Sequence, residues 1–394
     1  MHRVIVFGGD GFCGWPISLR LSNKGYAVTI VDNLSRRSID DELGCESLTP
    51  IRTMKKRTDK WAELTGNKIY FKRLDIATNY HGVYDILKKL QPHTIVHLAE
   101  QRAAPYSMKD AQRKRYTVTN NIIGTHNLLV ALTDLGIDAH VVHIGSMGSY
   151  GYNRDMEFVI PEGYVDCTLY DATKQSVATR ILYPADPGSV YHMTKVMDAQ
   201  LFHFYNKNDR LRITDLYQGI VWGTQTAETK IDPDLINRFD YDGDYGTVLN
   251  RFLVQAIVGH PITVYGSGDR VRAFIHLKNT VDCVQLAIEN PPQNGAPVQI
   301  LNQTAEQRNL HDLAILVHNL KGAPVGYYTN PRIEEDKNKL KASNSTLIKM
   351  GLTPIMLNDA DLMEVCDLIE IYKDRANKKK ILSTSLWRKD IKID

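Results

Sequence analysis

Five short runs rich in valine and isoleucine recur through the first half of the chain: RVIVFGG (3–9), AVTIVDN (27–33), TIVHLAE (94–100), HVVHIGS (140–146) and RITDLYQG (212–219). Apolar side chains at successive positions leave neither face of such a strand fit for water. The runs therefore predict strands covered on both sides, as in a parallel sheet between two helical layers. Between them CGWPISLRLSNKG (13–25) and NNIIGTHNLLVALTDLG (120–136) carry helical periodicity and each closes on a glycine. The fold class expected is α/β, a doubly wound parallel sheet of the Rossmann type. After about residue 224 the pattern turns polar and aromatic, with one strand-like run, PITVYG (261–266), and the polar stretch 330–344. The expected division is a dinucleotide-binding domain over 1–224, to which segments near 270–303 return, and a smaller mixed α/β substrate-binding domain over 225–394.

Composition narrows the partners. With 394 residues, 43% hydrophobic and 24% charged, the chain can bury a large core. A net charge of +3 is too small to argue for nucleic acid. The five cysteines are scattered, odd in number and without a C-x-x-C pair, which argues against disulfides and against a metal site. No apolar run is long enough to span a membrane. A strand beginning almost at residue 3 leaves no room for a leader, so a cytoplasmic protein, or a mature form whose leader has been removed, is expected.

FGGDGFCG follows the first strand and opens the first helix. Gly8, Gly11 and Gly14 let backbone N–H groups of a loop that also holds Asp10, Phe12 and Cys13 approach a pyrophosphate at a helix N-terminus. Asp32 closes the second strand, followed by Asn33. An acid there hydrogen-bonds a ribose 2′-hydroxyl and repels a 2′-phosphate, so NAD is expected. Arg36 and Arg37 pull the other way, because arginines at this place can accept the 2′-phosphate of NADP.

Ser146 ends the fourth run, where strand C-termini carry ligands in open sheets. SVYHMTKV (189–196) puts Tyr191 and Lys195 on one helix face. A phenol is a poor base near neutral pH, but a lysine ammonium and an oxidised nicotinamide would stabilise its anion. Ser146, Tyr191 and Lys195 behind a dinucleotide loop resemble the serine, tyrosine and lysine of the extended short-chain dehydrogenases. That resemblance covers nearly the whole chain. It implies adenine contacts at Asp75 and Ile76, a cofactor loop over HLAEQR (97–102) that includes Leu98, a strand-supporting asparagine at Asn120, and a nucleotide-sugar diphosphate grip at Arg272.

Within that group the 4,6-dehydratases carry an aspartate and a glutamate directly after the small hydroxyl residue. Here Met147 and Gly148 stand there and can do no acid–base work. Instead GGDGFCGW, VDNLSRR, LGCESLTPI, EQRAAPYSM, YHMTK, YQGIVWG, DYDGDYGTVLNRF, VGHPITVYG and NPRIEE resemble the UDP-sulfoquinovose synthase family. The resemblance implies UDP-glucose and sulfite as substrates, NAD as a cofactor restored each turn, and no metal. It implies His192 as a further catalytic acid or base, acting at C5 or on the C6 hydroxyl, and Arg102 as the sulfite contact. Gln218, Thr247, Asn250, Arg251, Tyr265, Arg272 and Arg332 are implied as UDP-sugar contacts. It further suggests a homodimer through the helices containing 120–136 and 191–206. The insertion at 152–188 is expected to be a flap over the sugar. Two other readings are weighed: a UDP-glucose 4-epimerase, and a non-catalytic NAD-binding scaffold.

Overall fold

The computed structural model describes residues 1–151, 159–332, 340–385 and 387. Its centre is a seven-stranded sheet of β1 (Arg3–Phe7), β2 (Ala27–Asp32), β3 (Tyr70–Arg73), β4 (Thr94–His97), β5 (His140–Ser146), β6 (Arg212–Gln218) and β7 (Gln299–Gln303). Every neighbouring pair is parallel, and the order across the sheet is β7-β6-β5-β4-β1-β2-β3. The order reverses between β1 and β4, which opens a crevice at their C-terminal ends where an open α/β sheet takes its ligand. This is the doubly wound Rossmann architecture expected.

The continuous apolar runs are explained by which side each residue faces. On β1, Val4 and Val6 pack into one core with Trp15 and Ile17 of α1 (Gly14–Asn23). Ile5 and Phe7 pack into the other, with Leu128 of α2 (Gly124–Asp134) and Phe202 of α3 (Val190–Asp209). A third core, around Phe239, Tyr241, Leu253, Phe274, Val317 and Ile369, underlies the later part of the chain. There α4 (Val248–Ile257) and the helices Leu310–Lys321 and Asp359–Tyr372 surround the paired strands Ile262–Tyr265 and Val325–Tyr328. β7, although late in sequence, lies on the edge of the large sheet.

The insertion is a correction. Residues Tyr164–Tyr170 and Ser176–Leu182 form an antiparallel hairpin. Its base is tied to the sheet edge, where the Tyr164 hydroxyl donates to the Val298 carbonyl at 2.9 Å and meets His203 Nε2 of α3 at 2.9 Å. None of the hairpin lines the sugar-side cavity described below, so it is not a flap over the sugar. A polar, tyrosine-bearing stretch fits an exposed hairpin as well as a lid, which is why the sequence misleads here. The start of the insertion (152–158), the end of NPRIEE and most of DKNKLK lie outside the described residues. Among the described residues no helix is long and apolar enough to cross a membrane.

Candidate active site

The phosphate loop is built around glycines that have no substitute. Gly8 has φ +83°, and a Cβ on it would lie 2.6 Å from the Leu98 backbone. A Cβ on Gly14 would meet the Gly8 carbonyl at 2.1 Å. The Asp32 carboxylate folds the loop back by accepting from the backbone N–H of Asp10 (2.9 Å) and of Leu34 (2.7 Å). Burial and the Asp10 charge push Asp32 up to about 6 against those donors.

Both arginines near Asp32 are paired with carboxylates. Arg37 grips the Asp10 carboxylate with two bonds (2.6 and 2.8 Å). Arg36 is held by Asp40 (2.5 Å) and Asp240 (3.0 Å) and lies over the Tyr245 ring. Arg57, fully buried, also bonds Asp10 at 2.9 Å and stacks 3.9 Å from the Trp15 ring. Sequence reasoning missed Arg57. Its signal was position, because Met54, Arg57, Thr58 and Trp61 share the buried face of one helix.

Ile76 and Leu98 line the cleft that the phosphate loop borders, and beside them Asn33 donates to Asp75 at 2.8 Å. Asn120 lines the same cleft, but the supporting role expected of it falls to its neighbour. Asn121 Oδ1 accepts from Gln101 N at 2.8 Å, and its Nδ2 donates to Gln101 O and Thr194 Oγ1, both at 3.0 Å. It sits in a π-helical turn, Thr119–Ile123, whose extra residue turns the second asparagine of the NN pair inward. The glycine cradle, the held acid at Asp32 and the pairing of Arg36 and Arg37 with carboxylates fit NAD.

Ser189 caps α3 by accepting from His192 N at 3.1 Å, which sets Tyr191 and His192 in its first turn. Lys195 follows one turn on, its Nζ 2.6 Å from the Ile144 carbonyl and 5.9 Å from the Tyr191 ring centre. Ser146 lies beside the Tyr191 phenol. Burial raises the Tyr191 pKa, Lys195 works hardest against that, and Glu100 adds to the rise while Ser146 and Arg102 oppose it. The His192 ring stands 5.1 Å from that of Tyr191, with Nδ1 3.1 Å from Ser189 Oγ. Its Nε2 edge lies over Gly148, where a Cβ would come within 2.3 Å.

The cofactor cleft opens into a second cavity, and Phe12, Cys13, Arg102, Tyr191, Gln218 and Tyr245 line both. Ser146, His192, Thr247, Tyr265 and the arginines 251, 270, 272 and 332 line the second alone. Arg270 was not anticipated, although it is two positions before Arg272 on the approach to the same strand. Among the described residues Thr247 Oγ1, Tyr245 Oη and Arg251 Nε are buried without a hydrogen-bond partner, as groups awaiting a polar ligand are. Asn250 is placed elsewhere. Its amide clasps Gly223, accepting from N at 3.1 Å and donating to O at 3.3 Å, so it shapes the wall without lining it. Arg102, at the junction, is ion-paired with Asp240 and lies over the Phe12 and Tyr245 rings.

Comparison with known proteins agrees with this geometry. Residues 4–302 match the model of the NAD dependent epimerase/dehydratase family. The chain is 42% identical to the chloroplastic UDP-sulfoquinovose synthase of Spinacia oleracea, over 98% of this chain and 79% of that one. It is 36% identical to the UDP-sulfoquinovose synthase of Sulfolobus acidocaldarius, over 98% of each. Among solved structures, the UDP-glucose 4-epimerase of Thermotoga maritima with UDP-glucose superposes with a TM-score of 0.68 at 20% identity, covering 94% of this chain and 99% of that one. That last likeness is one of fold. The chain belongs to the NAD-dependent epimerase/dehydratase family and, within it, to the UDP-sulfoquinovose synthases.

Proposed function

We propose that the protein makes UDP-6-sulfoquinovose from UDP-glucose and sulfite. The observation that carries this reading is the place of His192. The imidazole of His192 lies over Gly148, next to Tyr191, while Met147 and Gly148 directly after Ser146 carry no carboxylate. An epimerase has no step that needs such a group.

NAD, which the loop of Gly8, Gly11 and Gly14 and the Asp32 carboxylate would hold, would supply the hydride acceptor for the sugar C4 and the donor at the end of the cycle. Tyr191 accepts the C4 hydroxyl proton, with Ser146 holding that hydroxyl and the Lys195 ammonium stabilising the phenolate. The resulting ketone acidifies C5–H. His192 serves the next step, in which the C5 proton is removed and the protonated C6 hydroxyl leaves as water, giving a 4-keto-5,6-ene. The sulfite sulfur adds its lone pair to C6, C5 takes a proton back, and the C4 carbonyl regains hydride and the Tyr191 proton. Arg102 is the proposed sulfite contact, fixed by Asp240 at the junction of the two cavities. Thr247, Arg251, Tyr265, Arg272 and Arg332 are the proposed UDP contacts, joined by Arg270.

A homodimer is part of the reading. On α3 Met193, Met197 and Phe204 are exposed, and Ile123 is exposed just before α2, which leaves an apolar face on the two helices expected to pair. Sedimentation at micromolar protein should give twice the mass of the chain. The function itself is tested by product mass after incubation with UDP-glucose, NAD and sulfite. A UDP-sulfosugar formed only with sulfite supports it, and UDP-galactose formed regardless of sulfite contradicts it.

A further inference from the structure

Beneath Lys195 lies a buried ionic cluster that the reaction scheme does not use. Glu100 Oε2 is 2.6 Å from Lys195 Nζ, and the glutamate side chain is only 2% exposed. Its other oxygen is 2.8 Å from His143 Nε2, whose ring is itself 3.1 Å from Lys195 Nζ. His143 Nδ1 meets Asp215 Oδ1 at 2.8 Å on the far side. His97 lies 3.6 Å from Glu100, and the buried Asp198 lies 3.9 Å from His143.

We propose that Glu100, held by His143, is a positioning residue for C4 oxidation: it fixes the Lys195 ammonium from below and offsets its charge. The proton affinity of Tyr191 is then set by a Glu100–Lys195 pair instead of by a lone lysine. This rests on the assignment of Tyr191 as proton acceptor. The charged groups facing Lys195 are Glu100, His143, Asp198 and Tyr191, while Tyr191 faces Lys195, Glu100, Arg102 and His192. Burial disfavours charge on Glu100, but Lys195 and His143 hold its carboxyl far below the usual range. Burial and Lys195 likewise oppose the His143 imidazolium, and Asp215 and Glu100 lift it to about 9. The carboxylate is therefore ionised throughout the working range and always opposes the phenolate. Burial and Glu100 raise the proton affinity of Tyr191 and Lys195 lowers it, so the Glu100 charge moves the balance away from the phenolate.

The test is a direct titration of Tyr191, with no sugar present. Phenolate absorbance is followed against pH in the NAD-bound protein, and the same protein carrying Tyr191→Phe is subtracted to remove the other tyrosines. Glu100→Gln should lower the Tyr191 pKa by about one unit or more, and Glu100→Asp, which keeps the charge, should lower it less. An unchanged or raised Tyr191 pKa in Glu100→Gln overturns the proposal. Should that variant not fold, the uncharged pair Glu100→Gln with Lys195→Met is compared with Lys195→Met alone. The pair must titrate lower, and equal titrations overturn the proposal. The titration involves no sugar chemistry, so a failed sulfosugar assay and a failed offset are separate results.

Discussion

The imidazole of His192 and the Cα of Gly148 occupy adjoining space, so that a single methyl group on Gly148 would come within 2.3 Å of Nε2. Gly148 has no positive φ, and alanine suits its backbone; the nearest atoms a methyl group would meet all belong to the His192 ring. Gly148→Ala should therefore displace His192 while sparing Tyr191 and Lys195. NADH absorbance should then accumulate with UDP-glucose, and sulfosugar formation should fall by about 10²-fold or more. Unimpaired product formation would free His192 from its assigned role.

Tyr191→Phe keeps the ring that walls both cavities and removes only the proton acceptor. NAD binding, read by calorimetry, should be unchanged, and C4 oxidation should fall by about 10²- to 10⁴-fold. Lys195→Ala should weaken both, because it removes the ammonium from the cofactor cleft and from the phenolate together.

Arg102→Ala should raise the sulfite KM by about tenfold or more and move the UDP-glucose KM much less, since a lost charged hydrogen bond weighs on the anion it holds. Equal changes for both substrates would assign Arg102 to the diphosphate or to Asp240 alone.

Asp10 is the shared partner of Arg37 and of the fully buried Arg57. Asp10→Ala leaves a buried guanidinium without its counter-charge and should cost about 3–5 kcal/mol in urea denaturation. Arg57→Met should cost much less. Methionine fills the space over Trp15, and Arg37 still holds Asp10.

His143 keeps its proton up to about pH 9 in the folded chain, against an ordinary value of 6.5. Its contribution to stability is complete below about pH 6.5 and is lost as the pH rises through 9. Melting temperature should fall across that interval. In His143→Gln it should start lower and fall less steeply.

The sheet was legible because a strand buried on both faces carries apolar side chains at successive positions, as Val4–Phe7, Ile30–Val31, Ile95–Val96 and Val141–Val142 do. The nucleotide loop and the Ser146, Tyr191 and Lys195 set were legible because each needs a fixed residue type at the end of a recognisable element. Glu100, Arg57 and Asn121 were not. A glutamate in HLAEQR or an arginine in a lysine-rich helix reads as a solvated charge until its partners, distant in sequence, are known to be packed against it. Asn250 misled in the opposite sense, since an amide near a cavity can serve the backbone as readily as a ligand. β7, the seventh strand, was expected only as a returning segment near 270–303, because its short polar-ended run resembles many others.

The central claim, that C4 oxidation opens chemistry at C5 and C6, is tested most directly by running the reaction in deuterated water with UDP-glucose, NAD and sulfite. The account predicts a sulfosugar product carrying one deuterium at C5, where the proton was lost and regained, and none at C4. A UDP-hexose product with no label at C5 would contradict it.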